Sequence, residues 1–328
     1  MRFWFAILVS GLMTLAPAPG STSGGPPVPL FDMVRYSDMI IIAEVTELQI
    51  VGKLQDRPVN NAKAVLTIQK VLKGQAFEAT VDVFFVKPGR NIISTAGHAR
   101  YNTGEKVLAF LYFSPNGHGY RTFDQENGAL AIKTEKPFAG AKVLTPGELE
   151  KAEVRIEQIQ EILEIKDDEE RKRHTVNWLV ECAIDPTTRW IDGLYELQGR
   201  FGKCLGHERD CDFMDYPSML TEQHREMLFA ALEDYETIGV FALTLADLVK
   251  DSHRDQLAAF MLDRLDSEQD FSNALPIAEF IAEMKDDSFL AELARAMREY
   301  RNKHRRNKDP EYEQSIIDRF VDSARLPE

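Results

Sequence analysis

Cysteine is scarce in this chain of 328 residues: Cys182, Cys204 and Cys211 are the only three, and residues 1–181 hold none. No disulfide can therefore form within the first half of the protein. After Leu15 no apolar run reaches the roughly 20 residues that span a bilayer, so no later transmembrane segment is expected. An excess of basic residues is missing too. The formal net charge is -14, which argues against general nucleic-acid binding, because that rests on neutralising phosphates with Lys and Arg. No G-x-S-x-G, H-E-x-x-H or phosphate-cradling glycine loop occurs, so no familiar catalytic signature points to a reaction.

What is present is the composition of a folded protein, 44% apolar and 28% charged, over a length that suits two domains. Met1-Arg2 followed by the apolar run Phe3–Leu15 and the small residues of Ala16–Gly20 reads as a signal peptide, with cleavage after Gly20. The mature protein is then expected to be exported, secreted or periplasmic, with no lipid anchor at the cleavage site because no cysteine lies there. Ser21–Leu30, rich in Gly, Pro and Ser, reads as a flexible leader. Charge then divides the chain. Residues 21–150 carry 14 basic and 13 acidic side chains, and residues 151–328 carry 24 and 40, a difference that suits domains with separate surfaces.

The first part has the two-residue period of strands. In Ala62–Gly74 the residues Ala64, Leu66 and Ile68 alternate with Val65, Thr67 and Gln69, and the pattern breaks at Lys73-Gly74. Met39–Ala43 lacks alternation and suits a strand covered on both faces, in a first strand running to Gln49. Gly52–Asn61, with Gly52, Asp56, Pro58 and Asn60-Asn61, reads as a loop or wide turn. Val81–Val86, Leu108–Phe113, Tyr120–Phe123 and Ala129–Ile132 complete a set of short strands, with Leu108–Phe113 at the centre, and Phe31–Tyr36 reads as a short helix. Strands at this spacing predict an antiparallel barrel or sandwich.

Three stretches of this part, Ser37–Val45, Leu66–Gly74 and Tyr101–Phe113, follow one another as a strand after an Asp, a strand ending in Lys-Gly and a Gly-led apolar strand. In that order the region resembles the netrin and tissue-inhibitor-of-metalloprotease (TIMP-like) family of OB-fold barrels, over roughly residues 31–133. The resemblance implies a barrel of the binding-module kind. It does not carry the inhibitory chemistry, which in that family uses a free N-terminal cysteine of the mature chain; here that position is Ser21, and the family's disulfides are missing as well.

After Pro146 the period becomes helical, beginning with Ala152, Ile156, Ile159 and Leu163, and helix follows helix to Ala324. The acidic cluster Asp167–Glu170 stands at the start of the second helix, and Asn273–Lys285 is read with Pro276 in its first turn. Starts near 221, 254 and 287 fall about 33 residues apart, the helix-pair period of α-solenoids, so the region looks like an irregular HEAT-like repeat, with a plain bundle as the alternative. The expected fold class is thus all-β plus all-α: an OB-like antiparallel barrel over 31–145 and a solenoid-like or bundled helical domain over 146–328.

The site candidates are few. Cys204, His207 and Cys211 sit with Asp210, Asp212 and Asp215, and could ligate zinc with His224 as a fourth ligand. A Cys204–Cys211 disulfide is the preferred reading for an exported chain, and would stabilise by about 2.5 kcal/mol. Calcium on the three aspartates lacks the EF-hand order. Cys182 reads as a buried thiol, His98 and His118 as surface loop residues, and His174 as part of a helix face with Trp178 and Glu181. Arg298, Arg301, Arg305 and Arg306 belong to the one basic stretch, Arg295–Lys308; it reads as a solvated helix end or as a contact for an acidic partner or anionic lipid, with no aromatic face accompanying it. No catalytic residue or cofactor is assigned. The expected function is non-enzymatic protein binding or scaffolding with an unknown protein partner and no peripheral membrane contact. A hydrolase or metal enzyme assembled from distant residues such as His207, Asp210 and Asp212, and a loop-acting protease inhibitor, are the alternatives.

Overall fold

The computed structural model describes residues 30–53, 59–88, 101–114, 119–122, 129–134, 143–185, 193–198, 215–235, 238–268, 270–304 and 309–325. The signal-peptide reading and the leader reading up to residue 29 lie outside them; Leu30, read as the end of the leader, is buried as the first residue of a helix. The chain forms two compact units, Met1–Asp167 and Asp168–Glu328.

The first unit begins with the short helix α1 (Leu30–Tyr36) and continues through β1 (Met39–Lys53), β2 (Val59–Lys73), β3 (Thr80–Pro88), β4 (Lys106–Ser114) and β5 (Gly119–Thr122). Two shorter strands, β6 (Ala129–Ile132) and β7 (Val143–Leu144), precede the helix α2 (Pro146–Glu164). The strands run in the order β1-β2-β3-β5-β4, and β4 returns to β1, closing a five-stranded OB-like barrel. Closure depends on one short parallel pair, Val83 with Tyr120 and Phe84 with Arg121 between β3 and β5, where the sequence had suggested antiparallel strands throughout. β6 occupies the same edge of β4 as β5, farther along it, and carries β7.

The expected period-2 pattern fills the barrel: Met39, Ile41, Ala43, Val45, Ala64 and Leu66 belong to its buried interior. Ile40 and Ile42 point the other way by alternation and are buried as well, as are Leu108 and Phe110 on β4. The unalternating run at the start of β1 thus has a physical reason, since α1 lies against β4 and α2 against β2 and β7. α2 is held to the barrel by hydrogen bonds from Lys70 Nζ to Glu153 and from Gln160 Nε2 to the Leu72 carbonyl (3.1 Å). The division between units therefore falls one helix later than the change of hydrophobic period at Pro146.

The Lys73-Gly74 break that closes β2 fixes α1. Lys73 Nζ donates to the carbonyls of Val34 (2.6 Å), Ser37 (2.7 Å) and Arg35 (3.3 Å), placing a cation where the helix leaves its carbonyls unpaired. Burial pushes the Lys73 pKa down, against the opposing pull of Asp38. Gly74 has φ +82°, and a Cβ there would stand 2.4 Å from the Asp38 carbonyl oxygen. Only glycine fits. Inside the barrel, the Tyr101 hydroxyl and Thr122 Oγ1 share a buried 2.8 Å hydrogen bond, and burial raises the Tyr101 pKa.

The second unit comprises α3 (Asp168–Ile184), the single turns α4 (Leu194–Leu197) and α5 (Tyr216–Met219), α6 (Glu222–Glu233), α7 (Val240–Val249), α8 (Arg254–Ser267), α9 (Phe271–Lys285), α10 (Ser288–Lys303) and α11 (Pro310–Arg325). The pairs α6–α7, α8–α9 and α10–α11 are successive helical hairpins, as a helix-pair period requires. The last four helices also close on themselves, each packing on the next and α11 returning to α8. Cations tie the hairpin ends: Arg225 donates to the Leu248 carbonyl (2.7 Å), Arg254 to that of Met284, and Lys285 to that of Ala324 (2.6 Å). α9 starts at Phe271 behind the cap Asp270, so Pro276 lies inside the helix rather than in its first turn.

Candidate binding surfaces

The cysteine cluster Cys204, His207 and Cys211, its neighbours Asp210 and Asp212, and His98 and His118 all lie outside the described residues. His224, the suggested fourth zinc ligand, has another task. It is the third residue of α6, where Thr221 Oγ1 accepts from its backbone N–H (3.2 Å) and its own Nδ1 accepts from the Thr221 N–H (3.3 Å), a reciprocal helix cap. That Nδ1 must be unprotonated to accept, and burial holds the His224 pKa below its ordinary value. Asp215 is likewise a cap, accepting from the Ser218 N–H at the start of α5. Cys182 is fully buried, as read from the sequence, and His174 stands 4.0 Å from Glu170. Among the described residues no group of three or more His, Cys, Asp and Glu side chains could hold a metal ion.

The basic stretch divides. Arg298 is taken up within the fold: its Nε donates to Glu279 Oε1 at 2.6 Å, and that bond raises its pKa. Arg301 and Lys303 occupy the last turn of α10, and Arg305 and Arg306 lie outside the described residues. Contrary to the sequence expectation, aromatic rings accompany the run. The Tyr300 ring stacks on His304 (centroids 4.6 Å apart, 16° between planes), meets Tyr312 of α11 at 4.8 Å and takes Phe271 of α9 edge-on at 5.6 Å. The Tyr300 hydroxyl accepts from the Asp309 N–H (3.1 Å), and Asp309 Oδ1 accepts from the Tyr312 N–H (3.2 Å), so the turn into α11 is built on the cluster. Tyr312 remains 49% exposed. Its rings come from three helices, which is why no local sequence pattern shows the cluster.

A second surface lies on the barrel. β4 flanks β1 only over Met39–Glu44, and the loop before β4 closes on Val45, whose N–H donates to Glu105 O (2.9 Å) and whose carbonyl accepts from Gly104 N–H (2.7 Å). Beyond that point, among the described residues, Thr46–Lys53 pairs with β2 alone, through Lys53 opposite Asn60. The Gly52–Asn61 stretch expected as loop is in good part this ribbon: β1 runs on to Lys53, and β2 starts at Val59. Ile50 and Val51 are 57% and 50% exposed. Register shifts after Val45 and after Ile50 mark bulges that add twist. The sequence signal for the strand was the Ile50-Val51 pair of β-branched residues, outweighed by Gly52, Asp56 and Pro58.

Comparison of the chain with protein-family models, with curated proteins and with solved structures gave no match.

Proposed function

We propose that the protein is an exported, non-enzymatic binding protein or scaffold, and that the Thr46–Lys53 edge of its barrel takes an extended segment of a protein partner as an added strand. The observation that carries this reading is the ribbon edge itself, open along Thr46–Lys53 among the described residues and apolar at Ile50 and Val51. An exposed apolar strand edge is a liability that proteins normally cover or charge. Strand addition turns its backbone groups into affinity and its alternating side chains into specificity. The TIMP-like resemblance supports a binding barrel, and the signal-peptide pattern supports export. An Ile50→Lys/Val51→Lys double variant tests it: the wild-type chain should retain a specific partner from an exported fraction, and the variant should lose it while keeping its melting temperature. Equal retention by both proteins would contradict the reading.

A further inference from the structure

The strand that does flank β1 shows what this edge accepts. Over Met39–Glu44 the neighbour is β4, and its residues alternate in step with those of β1. Val107 stands opposite Ala43, Ala109 opposite Ile41 and Leu111 opposite Met39, and all six are buried in the barrel interior. On the outer face the last pair is Glu44 with Lys106, both exposed, so an acid of β1 is met by a cation of β4. Opposite charges placed across two strands stabilise the pair, and like charges weaken it.

The open edge repeats that pattern. Between its two bulges the pairing with β2 runs without a shift: Glu47 with Val65, Leu48 with Ala64, Gln49 with Lys63 and Ile50 with Ala62. Ala64 and Ala62 are buried and Leu48 packs against the barrel interior, so Leu48 and Ile50 share the inner face. Glu47 and Gln49 take the outer one. There Gln49 Nε2 donates to Glu47 Oε1 at 2.6 Å, which satisfies one oxygen and leaves the charge in place. The cation across the ribbon, Lys63, is held by Asp82 at 2.9 Å. Lys53 stands past the second bulge, six positions on and about 20 Å farther along the strand. Among the described residues Glu47 has no cation paired to it.

We infer that the segment added at this edge is an amphipathic strand, apolar at the positions opposite Leu48 and Ile50 and carrying Lys or Arg opposite Glu47. Such a segment continues the line of β4 along β1. It closes apolar side chains over the inner face and sets a cation against Glu47, as Lys106 is set against Glu44. The alternation follows from the pleat and holds whichever way the segment runs. The inference rests on strand addition at Thr46–Lys53 and adds to it the chemistry of the segment.

The test uses the full chain and end-blocked, fluorescein-labelled peptides of about nine residues that alternate Thr and Val, with the central Thr replaced by Lys or by Glu. Binding is read by fluorescence anisotropy. The Lys peptide should bind about fivefold tighter than the Glu peptide, the difference between an attractive and a repulsive cross-strand pair. Glu47→Gln should level the two and Glu47→Lys should reverse their order, each with an unchanged melting temperature. A peptide of the same composition as the Lys peptide, with its Val residues grouped at one end, should not bind. Equal binding of the Lys and Glu peptides by the wild type, binding of the grouped peptide as tightly as the alternating one, or no binding of any peptide would each overturn the inference. Strand addition itself survives those results where the Ile50→Lys/Val51→Lys protein loses a partner that the wild type retains, so the two readings fail separately.

Discussion

His224 shows how a residue that looks chemical can be structural. Its Nδ1 accepts the Thr221 N–H, and burial lowers its pKa from 6.5, so the folded state sheds its proton more readily than the unfolded chain. The sign follows from linkage. The unfolded state binds more protons between the two values, so the contribution of the cap is complete above pH 6.5 and is lost as pH falls through and below that value. Replacing His224 by Gln, which keeps an acceptor at the third position of α6 but does not titrate, should remove that loss. Urea unfolding at pH 7.5 and at pH 5.5 checks it: the variant should gain on the wild type at the lower pH. An equal gap at both pH values would show that the cap is not what His224 contributes.

At the scale of elements, the junction of β2 with α1 was legible in sequence as a break but not as a clamp. Lys73-Gly74 ends the alternation, whereas the three carbonyls that Lys73 gathers and the Asp38 carbonyl that Gly74 admits come from residues more than 30 positions earlier. Gly74→Ala combines a disfavoured φ with a 2.4 Å approach to backbone, and should destabilise the first unit by about 2–3 kcal/mol. Thermal unfolding followed at the barrel tyrosines would show it, and an unchanged midpoint would mean that the turn can relax. Other elements divide in the same way. Strand and helix periods located β1 to β6 and the long helices, because burial on one face leaves a regular trace. The parallel closure of β3 on β5 and the ring cluster around Tyr300 left no local trace, since each is made by residues distant in sequence. Pro276 was legible as tolerated and misplaced by one turn, because the cap that starts α9 is Asp270, ahead of the phenylalanine that opens the helix.

At the scale of the whole molecule, a nearly neutral first part and an acidic second part carry their exposed apolar groups in different ways. The barrel unit offers the apolar pair Ile50 and Val51 on an edge that also carries Glu47 and Lys53, and the helical unit leaves Phe289 and Tyr312 half-exposed. Salt should leave strand addition at the barrel little changed, since backbone pairing and apolar contact are not screened. Binding is most directly read by a photo-crosslinking side chain placed at Val51 and, in a separate protein, at Val154, which lies on α2 and is just as exposed, 54% against 50%. Strand addition at the ribbon predicts that the Val51 probe captures one discrete partner from an exported fraction and the Val154 probe captures none; equal capture at both positions, or none at Val51, would contradict it.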